Sequence, residues 1–230
     1  MTTPLILLHG ALGSAKQFKK LIPSLEKEFE VHVFSFSGHG GQTFNNSGFT
    51  IEVFSQELKT YIRTHELKKV HIFGYSMGGY VALHAACSLP EIQSVITLGT
   101  KFSWNPDIAA GEVRKLNPEK IEAKVPAFAQ FLARVHGQEN WKTVLLRTAE
   151  MMIGLGEKPT LSDSELRQLQ QEVVIGLGDQ DNMVGQEESK WAASLLPNGS
   201  FEVLPETPHP FEQVQVERVV EFIQTHFSNR

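Results

Sequence analysis

Three side chains far apart in the chain have the types needed for proton-transfer chemistry: Ser76, an aspartate at 179 or 181, and His209. A serine hydroxyl is a weak nucleophile at neutral pH and needs a base beside it. Imidazole has the intrinsic pKa for that work. The imidazole in turn needs a carboxylate to fix its tautomer and stabilise its charged form. Ser76 lies within Gly74-Tyr75-Ser76-Met77-Gly78-Gly79, after the apolar run Val70-His71-Ile72-Phe73 and before Tyr80-Val81-Ala82-Leu83. A serine at a strand-to-helix junction is held on a sharp turn that is strained for any residue with a Cβ. Flanking glycines remove side chains that would collide where strand and helix crowd together. The helix start offers free N–H groups and a partial positive charge to a nearby anion. A plain turn can share the Gly-x-Ser-x-Gly pattern; the legible strand before it and helix after it favour a nucleophile elbow.

The rest of the chain supplies the elements that must position these groups. Leu5-Ile6-Leu7-Leu8 is a continuous apolar run, the kind buried on both faces of a parallel sheet. His9-Gly10-Ala11-Leu12-Gly13 follows as a loop, and Ser14 looks like the N-cap of a helix over 15–27. A second strand is expected at Val31–Ser35, a glycine-rich turn at Ser37–Gln42, and a helix over 50–65. Ser94–Leu98 reads as the strand after the elbow helix. Alternation then stops, and 104–169 contains no convincing strand. Pro118 suits the first turn of a helix, Pro126 should interrupt one, and Ser162-x-x-Glu165 is a capping box. Strands resume at Val173–Leu177 and Phe201–Leu204, with helices over 185–196 and 211–227. Six strands alternating with helices predict an α/β fold: a mostly parallel six-stranded sheet with helices on both faces. The expected organisation is a core of 1–103 and 170–230, interrupted by an inserted helical cap at 104–169. In such a sheet the site lies at the carboxyl ends of the strands, where Ala11, Ser76, Asp179, Asp181, Glu206 and His209 all fall.

Composition narrows the partners. With 230 residues and 41% hydrophobic content, the chain can bury one substantial core but is small for two domains. A net charge of −5 without long basic runs argues against nucleic acid as a partner. The apolar run near the N-terminus is too short for a signal peptide or a membrane span. Cys87, the single cysteine, has no internal disulfide partner and reads as a small buried hydrophobe, which fits a reducing, cytoplasmic location. No His, Cys and carboxylate set has a metal spacing, and no phosphate loop or Gly-x-Gly-x-x-Gly appears, so no cofactor is implied.

Five stretches together resemble the α/β-hydrolase superfamily, over essentially the whole chain. They are Leu8-His9-Gly10-Ala11-Leu12-Gly13-Ser14, Gly38-His39-Gly40, the elbow, Gly178-Asp179-Gln180-Asp181-Asn182-Met183-Val184, and Pro208-His209-Pro210-Phe211-Glu212. The resemblance implies Ser76 as nucleophile and His209 as general base. The family spacing, counted from Gly178, selects Asp181 as the acid; Asp179 is the alternative, with a turn-forming role otherwise. The backbone N–H groups of Ala11 and Met77 would form the oxyanion hole. His9 is expected to buttress the oxyanion loop, and His39 to be structural. His32 and His71 fall in strands and His84 in a helix, while His65, His136 and His226 are expected to be solvated. Lys101, the basic residue nearest a strand end, is expected to be a solvated surface lysine, with contact to an acidic substrate as the alternative.

The implied activity is serine hydrolysis of small to medium hydrophobic carboxylic esters, thioesters or lactones through an acyl-enzyme, a carboxylesterase-like reaction. Two other readings stay open. One is a carbon–carbon bond hydrolase or lyase similar to the synthase of menaquinone biosynthesis, although Tyr80 stands where that enzyme carries an arginine. The other is a triad-bearing small-molecule receptor. The cap should set specificity, with Phe102, Trp104, Phe128, Phe131, Trp141 and Met152 as candidate lining residues. The expected partner is a small-molecule substrate, with no nucleic acid and no membrane insertion, acting as a monomer or homodimer.

Overall fold

The computed structural model describes residues 2–227. Six strands form one sheet: β1 (Thr3–Leu8), β2 (Phe29–Val33), β3 (Val70–Tyr75), β4 (Ile92–Leu98), β5 (Glu172–Gln180) and β6 (Gly199–Pro208). Their spatial order is β2-β1-β3-β4-β5-β6, and every neighbouring pair is parallel. Parallel pairing demands a crossover between successive strands, and helices supply it. The order reverses at β1, whose neighbours are β2 on one side and β3 on the other. The loops after β1 and β3 therefore diverge and leave a crevice at the carboxyl edge.

The apolar run in β1 is buried on both faces, as its composition requires. Ile6 and Leu8 point into a core with α2 (Ile51–Thr64), α3 (Met77–Ala86), α8 (Asp163–Gln168) and α9 (Gln186–Leu195). Leu5 and Leu7 point into a second core with α1 (Ile22–Leu25) and α10 (Val216–Phe227). Between β4 and β5 come α4 (Pro106–Val113), α5 (Pro118–Lys124), α6 (Pro126–His136), α7 (Trp141–Glu157) and α8. This helical block has a small core of its own around Ile121, Leu132, Trp141 and Leu145. Pro118 and Pro126 each stand in the first turn of a helix, and Ser162 with Glu165 makes the capping box.

Several local expectations need correction. The helix over 15–27 is broken into a 3-10 turn, Ala15–Phe18, and the short α1. Pro23 in the first turn of α1 has no N–H to continue a helix from upstream. Phe18, Leu21 and Leu25 still face one core, so the apolar spacing held while continuity did not. Ser14 makes no side-chain cap; instead the Ala15 N–H donates to Ser35 Oγ at 3.0 Å. The last helix is likewise split. Phe211–Gln213 is a 3-10 turn, and extended backbone at Val214 precedes α10. Cys87 is exposed rather than buried, because it caps the C-terminal end of α3 beyond the face that meets the sheet. His136 is buried rather than solvated, tied by its ring to Leu12 and Gly40. No helix among the described residues is long and apolar enough to cross a membrane.

Candidate active site

The turn from β3 into α3 is built by a few close contacts. Ser76 adopts φ 51° and ψ −118°, a conformation uncommon for a residue with a side chain. Thr100 Oγ1 donates to the Ser76 carbonyl at 2.8 Å, and the Ser76 N–H donates to the Leu98 carbonyl at 2.8 Å. Both bonds hold the strained turn from the side of β4. The glycines are required by closeness. A Cβ on Gly74 would lie 2.4 Å from Gly79 Cα, and one on Gly78 would lie 2.3 Å from the Leu8 carbonyl oxygen.

Asp181 and His209 meet across the ends of β5 and β6. The His209 Nδ1–H donates to Asp181 Oδ2 at 2.7 Å, and both side chains are nearly excluded from solvent. The other carboxylate oxygen of Asp181 accepts the Met183 and Val184 N–H groups at 2.8 and 3.0 Å. These bonds lock the carboxylate with one oxygen aimed at the ring. Asp179 is turned elsewhere; its Oδ1 accepts the Thr207 N–H at 3.2 Å. Gly99, in the left-handed region at φ 64°, floors the pair: a Cβ there would stand 3.0 Å from Asp181 Oδ2. Tyr75 adds a further tie by donating its hydroxyl to the His209 carbonyl.

Ser76 and His209 line one cavity of about 60 Å³ together with Ala11 and Met77. Met77 is the first residue of α3, where an N–H has no intrahelical acceptor. The Ala11 N–H also makes no hydrogen bond among the described residues. Two unspent donors therefore border the space next to the serine. The remaining walls are mostly apolar: Ile51, Trp104, Met151, Met152, Leu155 and Val184. Met183 completes them, so every methionine among the described residues lines this cavity.

Of the lining residues expected from sequence, Trp104 and Met152 are at the cavity. Phe102 is not; it is buried in the larger core beside Tyr80. Trp141 is 2% exposed and fills the core of the helical block. Phe128 and Phe131 stack on each other, with ring centroids 6.2 Å apart, away from the cavity. Phe131 borders a different groove, beside Lys16 and Phe211. Aromatic residues in a helical block serve its internal packing first, and sequence spacing does not separate that from lining. Tyr80 and Glu112 border the cavity as well, and so does Lys101, for which the sequence favours a solvated surface position over a place at the substrate. The Tyr80 hydroxyl is occupied as acceptor for the Leu161 N–H at 3.1 Å. Lys101 stands just beyond the end of β4, which was the available signal.

Behind the Ala11 loop lie three buried histidines. His9 donates from Nδ1 to the Gly10 carbonyl at 2.8 Å and accepts the Phe36 N–H on Nε2 at 3.1 Å. Burial pulls its pKa down to about 4, partly opposed by the Gly10 bond. His136 reaches from α6 to the same region. Its Nδ1 accepts the Gly40 N–H at 3.1 Å, and its Nε2–H donates to the Leu12 carbonyl at 2.9 Å. His39 lies between them, 5.1 and 5.7 Å from the two rings by centroid. Burial lowers the pKa of His39 and His136 as well. All three are held neutral, and His9 and His136 serve as ties between loops.

Residues 3–153 match the family model described as the alpha/beta hydrolase fold. The serine hydrolase-like protein of Homo sapiens is 31% identical over 100 residues, covering 42% of this chain and 49% of that one. The match thus spans about half the length of that relative. An uncharacterized hydrolase of Bacillus subtilis is 22% identical over 247 residues, covering 95% of this chain and 88% of its own. Among solved structures, an esterase from Exiguobacterium antarcticum superposes with a TM-score of 0.80 at 16% identity, covering 97% and 91% of the two chains. At that identity the likeness speaks for the fold.

Proposed function

The chain belongs to the alpha/beta hydrolase fold family, and from that premise we propose that it is a serine hydrolase of short-chain hydrophobic carboxylic esters. One observation carries the reading: the Asp181 carboxylate holds His209 by Nδ1 while His209 and Ser76 share one cavity. With Nδ1 protonated and bonded, Nε2 is the basic nitrogen. In the proposed course, His209 Nε2 takes the Ser76 hydroxyl proton as Oγ attacks the ester carbonyl carbon. The carbonyl oxygen becomes an oxyanion and is met by the Ala11 and Met77 N–H groups. Collapse expels the alcohol, which receives the proton from His209, and leaves Ser76 acylated. Water then repeats the sequence, with His209 taking its proton, and the acid is released. Asp181 stays ionised throughout and stabilises the imidazolium.

The helices at 104–169 act in this proposal as a cap that closes over the acyl group. Trp104, Met151, Met152 and Leu155 would be their apolar contribution, whereas Phe128, Phe131 and Trp141, like Phe102 just before them, would be structural. A cavity of about 60 Å³ lies well below the ~300–1,000 Å³ of sites for drug-sized ligands. This supports the short end of the acyl range, with methionines giving way for longer chains. Thioesters and lactones of similar size fit the same course. A cytoplasmic location is consistent with the chain's single, unpaired thiol.

The test is a p-nitrophenyl ester series from acetate to octanoate, with Ser76→Ala as control. Turnover should be greatest from acetate to butyrate, fall towards octanoate, and vanish in the Ser76→Ala protein. Inactivity across the whole series in a folded protein would overturn the ester reading.

A further inference from the structure

Among the described residues, Lys101 is the one basic side chain other than His209 that borders the cavity, and its surroundings leave it in an unusual position. Its side chain is only 18% exposed. Its Nζ lies 3.8 Å from Glu112 Oε1 and 3.8 Å from Glu188 Oε1. These contacts compensate the charge but exceed hydrogen-bond length. Both glutamates have other partners, and Glu188 is the more firmly held. Glu188 accepts the Phe102 and Ser103 N–H groups on Oε2 at 2.8 Å each, and the Gly185 N–H on Oε1 at 3.1 Å. Glu112 accepts Lys115 Nζ at 2.9 Å. The Lys101 ammonium therefore carries three donors with no acceptor at bonding distance among the described residues. A largely covered ammonium beside a substrate cavity, with water as its remaining partner, can exchange that water for a substrate oxygen.

The sign of that acceptor follows from charge. Lys101 and Lys115 face Glu112 and Glu188, two cations against two anions. A substrate carboxylate bonded to Nζ would lie within about 7 Å of both glutamates. Two repulsions at about 7 Å offset most of the one attraction at ~2.8 Å, and desolvation in an otherwise apolar cavity then tells against the charge. A neutral oxygen suffers neither and gains a charge-assisted hydrogen bond. We propose that Lys101 is a specificity-determining residue that hydrogen-bonds a neutral keto or hydroxyl oxygen on the substrate's acyl chain. The enzyme would thus select oxo- or hydroxy-acyl esters over plain alkyl esters and over half-esters with a free carboxylate. This inference rests on the serine hydrolase reading and narrows its substrate class.

Three methyl esters of similar shape separate the cases: methyl levulinate, methyl pentanoate and monomethyl succinate. The wild-type protein should prefer levulinate to pentanoate by about tenfold in kcat/KM, the range expected for a hydrogen bond to a charged group. Monomethyl succinate should be the poorest substrate. In Lys101→Met the levulinate-to-pentanoate ratio should fall to about one. In Glu112→Gln, with one repelling carboxylate gone, succinate should gain on levulinate. A wild-type preference for succinate, or for pentanoate over levulinate, overturns the proposal even if the Lys101→Met protein does not fold. So does an unchanged ratio in a folded Lys101→Met protein. If the wild type hydrolyses none of the three, calorimetric binding of methyl levulinate and methyl pentanoate to Ser76→Ala, with and without Lys101→Met, decides separately. A levulinate preference lost with Lys101 upholds the binding role and leaves only the hydrolase reading refuted; equal binding refutes the Lys101 assignment.

Discussion

Replacing Asp181 by asparagine tests the proposed proton line with little change of shape. The amide can enter the site in two orientations. With its oxygen towards the Met183 and Val184 N–H groups, both existing bonds survive. The reverse orientation sets an NH2 group against two N–H donors and leaves the part-buried Val184 donor unpaired, at ~1–3 kcal/mol, while the exposed Met183 donor can turn to water. The first orientation wins by about 1 kcal/mol or more. It turns the NH2 group towards His209, so Nδ1 must become an acceptor and the proton must move to Nε2. His209 can then no longer accept the Ser76 proton. A change of this kind lowers kcat about ten-thousand-fold in serine proteases, equivalent to ~5 kcal/mol of barrier. Stability should hardly move, since the hydrogen bonds around the group are kept in number. The assay is kcat/KM on p-nitrophenyl butyrate alongside the melting temperature. An Asp181→Asn protein that melts like the wild type and stays within about tenfold of its rate would refute the tautomer-fixing role. Asp179→Asn, which retains an acceptor for Thr207, is the matched control and should remain within about threefold.

Further outcomes can be checked by activity and stability measurements of the same kind. Ala11→Pro deletes one proposed oxyanion donor and should raise the barrier by about 3–4 kcal/mol; near-normal turnover in a folded variant would remove Ala11 from the hole. Acid should destabilise the fold through the buried histidines. An unfolded histidine takes up a proton near pH 6.5, whereas folded His9 stays neutral down to about pH 4. Between those values the unfolded chain binds more protons, so stability is complete above the window and falls as pH drops through it. His9 alone accounts for about 3 kcal/mol, with His39 and His136 acting in the same direction; urea midpoints from pH 7 to 4 that do not fall would contradict this. Two glycines in α7 should respond with opposite signs. A methyl added at Gly154 would meet nothing within 4 Å, so Gly154→Ala should stabilise by about 1 kcal/mol. Gly156→Ala would bring its methyl to 2.5 Å from Ala109 Cβ and should destabilise by about 1–3 kcal/mol. Equal melting temperatures for the two variants would mean α4 and α7 are not in the described contact.

The sheet was legible because parallel strands buried on both faces need continuous apolar runs, and Leu5–Leu8, Val70–Phe73 and Val173–Leu177 are such runs. The elbow was legible because close approach leaves only glycine at 74 and 78. Where one apolar face is shared by two short helical pieces, as at 15–25 and 211–227, periodicity survives the break and hides it. The choice between Asp179 and Asp181 rested on spacing, since both lie at the end of the same strand; in the structure the latter meets His209. What spacing does not carry is which aromatic side chain of the helical block turns outward or inward. Trp104 and Trp141 look alike in sequence, yet one borders the cavity and the other fills a core. The burial of His136 and the partial burial of Lys101 were equally hidden. Each depends on partners more than seventy residues away, Leu12 and Gly40 for one, Glu188 for the other.

The His136 tie bears on how separable the parts of this protein are. One imidazole from α6 clasps both the loop after β1 and the glycine turn after β2. The seam between helical block and sheet therefore runs next to the backbone that offers the Ala11 N–H. A chimera that swapped in a foreign block of equal size, but without a histidine at this point, would inherit a slack loop beside Ala11. Such a graft would have to be judged by the rigidity of that loop as well as by the shape of the pocket it creates.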